Sequence, residues 1–90
     1  MKNFRRLGAK IVWLRREKNI PPNDIAQAID YPVWDYRALE YGTLIGNFDD
    51  IEKIAKVLGV ETDELFKPLE YSEYLEVLFG NQNLSSIFNT

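Results

Sequence analysis

The chain is expected to fold as one all-α domain, and three observations predict this. Apolar residues recur at i, i+3, i+4 and i+7 in successive stretches, the spacing of one helix face. Proline, asparagine and glycine fall between those stretches, where helices start and stop. The length of 90 residues suits one hydrophobic core and is too short for two, and a hydrophobic content of 46% argues against disorder. A chain of this size buries only ~60 to 65% of its unfolded surface, so a partner subunit would add needed stability.

The elements follow in order. Phe4, Leu7, Ile11, Val12, Leu14 and Arg15 repeat near the helical period, which predicts a first helix over 4–18 that stops at Asn19. Pro21 and Pro22 suit the first turn of a second helix, where a missing N–H is harmless, and Asn23 and Asp24 place polar and negative groups at its positive end. Ile25, Ala26 and Ile29 supply its buried face. Asp30 and Tyr31 make a tight connection, and Pro32 starts a third helix over about 32–41, with Tyr36 and Leu39 inward and Gly42 as a left-handed cap. Asp49 or Asp50 is expected to cap a fourth helix whose stripe is Ile51, Ile54, Ala55 and Leu58, ending at Gly59. Thr62, with Asp63 and Glu64 in the first turn, starts a short fifth helix that stops before Pro68. Tyr71, Tyr74, Leu75, Leu78 and Phe79 mark a sixth helix with an aromatic face, ended by Gly80 and Asn81; Leu84, Ile87 and Phe88 follow in a polar tail that either docks or frays.

Composition narrows the chemistry. The chain contains no Cys and no His, and its first Ser is Ser72, which removes disulfides, thiolate nucleophiles, imidazole bases, a Ser/His/Asp triad and most transition-metal sites. Only carboxylates remain for acid–base work, and on helices these are ordinarily a solvated face. The chain therefore reads as a binding module without catalytic residues, cofactor or metal. No apolar run reaches the ~18 residues of a membrane span, and the basic N-terminus lacks the apolar stretch of a signal peptide, so no membrane contact and a cytoplasmic location are expected.

The net charge of −3 conceals a split. Residues 1–20 carry seven basic residues and one acid, whereas residues 21–90 carry four basic residues and thirteen acids. Arg5, Arg6 and Arg16 read either as a solvated basic face or as phosphate contacts. The acidic total argues against strong non-specific affinity for DNA, which is carried by phosphate neutralisation.

Several motifs together resemble the Cro/repressor helix-turn-helix family of the lambda-repressor type. They are Leu7, Gly8, Ile11, Leu14 and Arg15 in the first helix, Ile25, Ala26 and Ile29 in the second, and Leu39, Glu40 and Gly42 in the third. The run Ile54-Ala55-Lys56-Val57-Leu58-Gly59-Val60 and then Asp63-Glu64-Leu65-Phe66 completes the set. The resemblance covers about residues 7–66 and implies a five-helix lambda-repressor-like domain over 1–67, with an additional C-terminal helix and tail over 68–90 as a dimerisation element. It implies a sequence-specific, DNA-binding transcriptional regulator whose third helix lies in the major groove and whose homodimer reads two half-sites. Carried over by position, Val33, Trp34, Asp35, Arg37 and Ala38 would face the bases, with Pro22, Asn23, Thr43 and Asn47 near phosphates. Arg37 would fork onto guanine, Val33 or Trp34 would touch a thymine methyl, and Asp35 would accept from a cytosine amine. Arg15 and Glu40 would form a semi-buried structural ion pair fixing the first helix against the third.

The sequence departs from this family at the phosphate-binding helix ends. Where Ser or Thr followed by Gln is usual, it has Pro21 and Pro22, and the third helix opens on Pro32-Val33-Trp34-Asp35. Lost N–H donors and added carboxylates at Asp24 and Asp35 predict weakened binding to double-stranded DNA. Trp34 beside Val33, Arg37 and Tyr41 has the anchor composition of a protein interface, so a protein-interaction module is the alternative; simple packing of Trp34 against the second helix or tail is a third reading. Trp13 reads as partly core or packed under the sixth helix. Tyr71, Tyr74, Leu75, Leu78 and Phe79 are the expected dimerisation face, to be covered by the domain itself or by a twofold mate.

Overall fold

Helix punctuation by residues that tolerate a left-handed backbone organises this chain. In a computed structural model, which describes residues 4–44 and 46–79, the elements are α1 (Phe4–Glu17), α2 (Pro22–Ala28), α3 (Val33–Tyr41), α4 (Phe48–Leu58), α5 (Thr62–Leu65) and α6 (Tyr71–Phe79). The described residues are all-helical and include no strand. Gly80, Asn81 and the tail with Leu84, Ile87 and Phe88 lie outside the described residues, as does the side chain of Phe4.

Four helices close with the same device. After α1, Asn19 turns to φ 56° while Ile20 N donates to Arg15 O at 2.9 Å and Asn19 N to Arg16 O at 3.1 Å. After α2, Asp30 does so at φ 62°, with Tyr31 N on Ala26 O at 2.9 Å. Gly42 and Gly59 serve α3 and α4, with Thr43 N on Ala38 O and Val60 N on Ala55 O. This paired bonding satisfies carbonyls that a helix end leaves without donors. Asn and Asp are the non-glycine residues most tolerant of that conformation, because a short polar side chain can bond locally.

The start of α4 differs from expectation, whereas α5 starts at Thr62 as expected. The cap of α4 is Asn47, not Asp49 or Asp50: in extended backbone its Oδ1 accepts from Asp50 N at 2.9 Å. The two aspartates fall inside the first turn, where negative charge opposes the helix dipole, and Asp50 is buried, accepting from Tyr31 Oη at 2.7 Å. That bond ties the α2–α3 connection to the start of α4, and it is the first reason that the Tyr31 phenol is held above its ordinary pKa. Asn47→Ala is expected to cost about 1 kcal/mol in a denaturant melt, the usual value of a lost cap. For α5, Glu61 takes the cap position and Thr62 is the first helical residue.

The largest fully buried side chains are Ile11 of α1, Ile25 of α2, Tyr36 of α3, Ile54 and Leu58 of α4, and Leu65 of α5. Five helices thus meet in one core. None of the residues of α6 is buried; that helix lies on the outer side of α1, which also packs against α3 and α5. Lys10 and Glu64 link α1 to α5 at 3.3 Å, and Lys67 reaches the same carboxylate, so hydrogen bonds from two ammonium groups hold Glu64 below the usual carboxylate range.

Tyr36 carries an oddity at the centre of this core. Its ring is fully buried, and its hydroxyl has no hydrogen-bond partner in the protein. Burial, then the negative charge of Glu40, pushes its pKa well above the ordinary value. A buried hydroxyl without a partner contributes desolvation cost and little else, so Tyr36→Phe is expected to leave stability unchanged or raise it by up to about 1 kcal/mol. Because the phenols of Tyr31 and Tyr36 ionise less readily in the folded than in the unfolded chain, stability holds below the unfolded value of about 10 and falls as pH climbs above it toward the folded values. Alkaline melts should show a stability loss beginning near that value, with a shallower limb in Tyr36→Phe.

Candidate nucleic-acid interface

The face of α3 opposite Tyr36 and Leu39 sets what this domain presents. Positions 34, 38 and 41 are spaced i, i+4 and i+7 and share one side of the helix. Trp34 is 82% exposed and Tyr41 61% exposed, with Asp35 exposed beside them and Ala38 half-buried between them. Packing of Trp34 against α2 is thus corrected: an indole at that position points away from the core. Val33 is corrected in the other direction, since it is half-buried and rests on the core cluster, leaving the outer stripe to Trp34, Asp35, Ala38 and Tyr41.

Arg37 sits at the edge of that stripe and is already engaged. Its Nη2 donates to Tyr41 Oη at 3.0 Å, and its guanidinium carbon lies 5.5 Å from the Tyr41 ring centroid. Its Nε is 3.1 Å from Glu40 Oε1, close enough for ionic attraction, but the N–H is not aligned for a hydrogen bond. The i,i+4 spacing of Arg37 and Tyr41 brings about the stacking, and the i,i+3 spacing to Glu40 brings about the ion pair.

Behind this face, Glu40 is the hinge pin. Its side chain is 1% exposed and Arg15's is 9% exposed, so the pair is more deeply buried than a semi-buried bridge. Arg15 Nε donates to Glu40 Oε2 at 2.8 Å and Nη2 to Oε1 at 3.4 Å, while Nη1 reaches Ile20 O at 3.3 Å. Three donors of one guanidinium therefore hold α3, α1 and the loop after α1 together. Gly8 lets α1 come this close: a Cβ there would lie 2.1 Å from the carbonyl oxygen of Glu40.

The expected phosphate-side residues are occupied to different degrees. Asn23 is exposed in the first turn of α2. Thr43 Oγ1 donates to Ala38 O at 3.1 Å, closing α3, and Asn47 uses its Oδ1 to cap α4. The three prolines stand at the helix starts, as the sequence predicts. Pro21 and Pro32 stand at cap positions, and only Pro22 falls inside a helix, so the first turn of α3 retains the N–H groups of Val33 and Trp34. Neither helix start has a side-chain cap, and Asp24 and Asp35 remain in the first turns.

No protein-family model, curated protein or solved structure matches this chain. Among the described residues no helix is long and apolar enough to cross a membrane, and no cluster of three or more carboxylates could hold a metal ion.

The sixth helix divides its apolar stripe. Tyr74 and Leu78 lie along a groove shared with Ala9 and Val12 of α1, Leu75 is half-buried, and Tyr71, Leu78 and Phe79 are largely exposed. Part of the expected dimerisation face is thus covered by the domain itself. Trp13 is half-buried and borders a hollow with Arg16, Glu17 and Glu76, beside α6 as expected. Two contacts had no pairing signal in the sequence, Tyr31 to Asp50 and Lys10 to Glu64, since each joins residues whose separate roles were turn, helix face or cap. The use of Tyr41 to hold Arg37 was also missed, although their i,i+4 spacing was a signal for it.

Proposed function

We propose that this chain is a helix-turn-helix domain of the Cro/repressor type that binds double-stranded DNA as a homodimeric transcriptional regulator in the cytoplasm, with α3 entering the major groove. The observation that carries the reading is the outward stripe of α3, Trp34, Asp35, Ala38 and the adjoining Arg37, backed by a buried Arg15–Glu40 pair that fixes the helix from behind. A short helix, a four-residue connection with Asp30 in left-handed backbone, and a second helix packed on the first are the parts such a reader needs. Arg37 supplies the guanine fork once it leaves Tyr41, and Trp34 supplies apolar contact to a thymine methyl. Few cations line the helix starts, so phosphate contacts are few and affinity is low.

The test is an anisotropy titration of random-sequence duplex DNA at low salt and again near physiological salt. Binding in the micromolar range that collapses with added salt is expected, with a log–log slope of about −2 to −4, reflecting few displaced counterions. On a selected operator, Arg37→Ala should cost about 1 to 3 kcal/mol and relax preference at one base pair.

A protein-interaction module is the second reading, favoured by one observation: α3 exposes Trp34 and Tyr41 but carries no lysine. Absence of DNA binding even at low salt would select it.

A further inference from the structure

The groove between α1, α3 and α6 shares Arg37 and Tyr41 with the outer face of α3 and is otherwise walled mainly by α1 and α6. Val12 from α1 and Tyr74, Val77 and Leu78 from α6 make its walls apolar, and Arg16 and Arg37 border it from two sides. Its volume of ≈ 430 Å³ falls in the range of small-molecule sites, about 300 to 1,000 Å³, which combine apolar walls with a few convergent polar groups.

The polar groups at this groove are cationic in sum. Glu40 also borders it, but its one carboxylate is shared by Arg15 at 2.8 Å and Arg37 at 3.1 Å, so those three groups together carry one net positive charge. Arg16 adds a second. Arg37 Nε is buried against Glu40 and its Nη2 is bonded to Tyr41. Arg16 Nη1 has only a long contact, 3.5 Å, to Val77 O. Glu17 and Glu76 lie in the adjoining hollow on the other side of Arg16 and do not border this groove. Guanidinium charge in excess of carboxylate above apolar walls matches an anion with a hydrocarbon body, because a carboxylate accepts charge-assisted N–H bonds from guanidinium groups.

We propose that this groove is a binding site for a small organic monocarboxylate, its head group on Arg16 and Arg37 and its apolar body along Val12, Val77 and Leu78. The site itself does not depend on DNA binding. Its consequence rests on the proposed function: a carboxylate on Arg37 holds that side chain in the groove and away from the outer face of α3, so occupancy lowers DNA affinity.

The experiment is an NMR titration of the full chain, without DNA, using octanoate, 1-octanol and octylammonium as probes. Octanoate is expected to shift Val12, Arg16, Val77 and Leu78 amides and the Arg37 Nε–H, and to bind at least about 5-fold more tightly than octanol, with octylammonium weakest. Arg16→Gln, an exposed position that should fold normally, and Arg37→Gln should each bring octanoate down to the octanol value. Equal affinity for octanoate and octanol, octanoate shifts lying elsewhere, or no octanoate binding at millimolar concentration would each overturn the site. So would concentration-dependent shifts of the same residues without any probe, which would seat a second copy there instead. A DNA titration with octanoate present then tests the consequence separately, and failure to bind DNA at all would count against the regulator reading and not against the groove.

Discussion

Gly8→Ala is expected to lose at least about 3 kcal/mol of stability, enough to unfold much of a small domain at physiological temperature. Helix propensity alone predicts the opposite sign, since Ala is favoured over Gly in a helix interior by about 1 kcal/mol. Packing decides it. A Cβ on Gly8 would lie 2.1 Å from Glu40 O, 2.7 Å from Glu40 C and 2.8 Å from Leu39 O, and all three are backbone atoms that cannot rotate aside. To relieve the overlap α1 and α3 must separate, which stretches the buried Arg15–Glu40 bonds and opens the core around Tyr36 and Ile11. Overpacking commonly costs 1 to 3 kcal/mol when side chains can repack, so a clash with main chain belongs at or above the top of that range. Thermal melts followed by circular dichroism would show a midpoint lowered by roughly 12 °C or more. Gly59→Ala is the control. No atom lies within 4 Å of the Cβ there, so only the left-handed backbone at φ 72° is penalised, at about 1 kcal/mol. Equal losses in the two variants would mean that α1 and α3 do not approach as closely as described.

Much of the scaffold was legible because short-range physics decides it. The stripes of α1 and α4, the helix ends at Asn19 and Gly59, the left-handed cap at Gly42, and the stop before Pro68 each follow from residues within one or two turns. The cap of α4 was misplaced for a local reason. Asn47, Asp49 and Asp50 are all good capping residues, and the choice fell to Asn47 because Asp50 is drawn into a bond with Tyr31 from a different part of the chain. The face of α3 was legible only as a set of residues. Helical spacing groups Trp34, Ala38 and Tyr41, but not which neighbour Arg37 selects, because Glu40 and Tyr41 both lie within its reach. The groove beneath α6 had no sequence signal, since an apolar stripe reads the same whether α1 or a second copy covers it.

Glu40 is where fold and proposed site meet, and its removal is the other change expected to be severe. Glu40→Ala leaves the Arg15 guanidinium, with a side chain only 9% exposed, without its counterion in a site closed by α1 and α3. Breaking a buried pair in this way costs about 3 to 5 kcal/mol, most of it the desolvation of the charge left behind and not the attraction that was lost. If that account is right, removing both charges should cost less than removing one. Arg15→Met with Glu40→Leu supplies apolar groups of similar length, and the double variant is expected to be more stable than Glu40→Ala and near wild type. The Nη1 bond from Arg15 to Ile20 O is forfeited in that double variant, which limits full recovery. Urea melts of Arg15→Met, of Glu40→Leu and of the double variant give the coupling directly. Additive losses would show that Arg15 and Glu40 act independently and that the pair does not anchor α3. Arg37 provides a second readout, since loss of Glu40 removes the carboxylate 3.1 Å from its Nε while leaving Tyr41 in place. An Arg37 side chain that becomes mobile in the double variant would identify Glu40, and not the Tyr41 ring, as the group that holds it against α3.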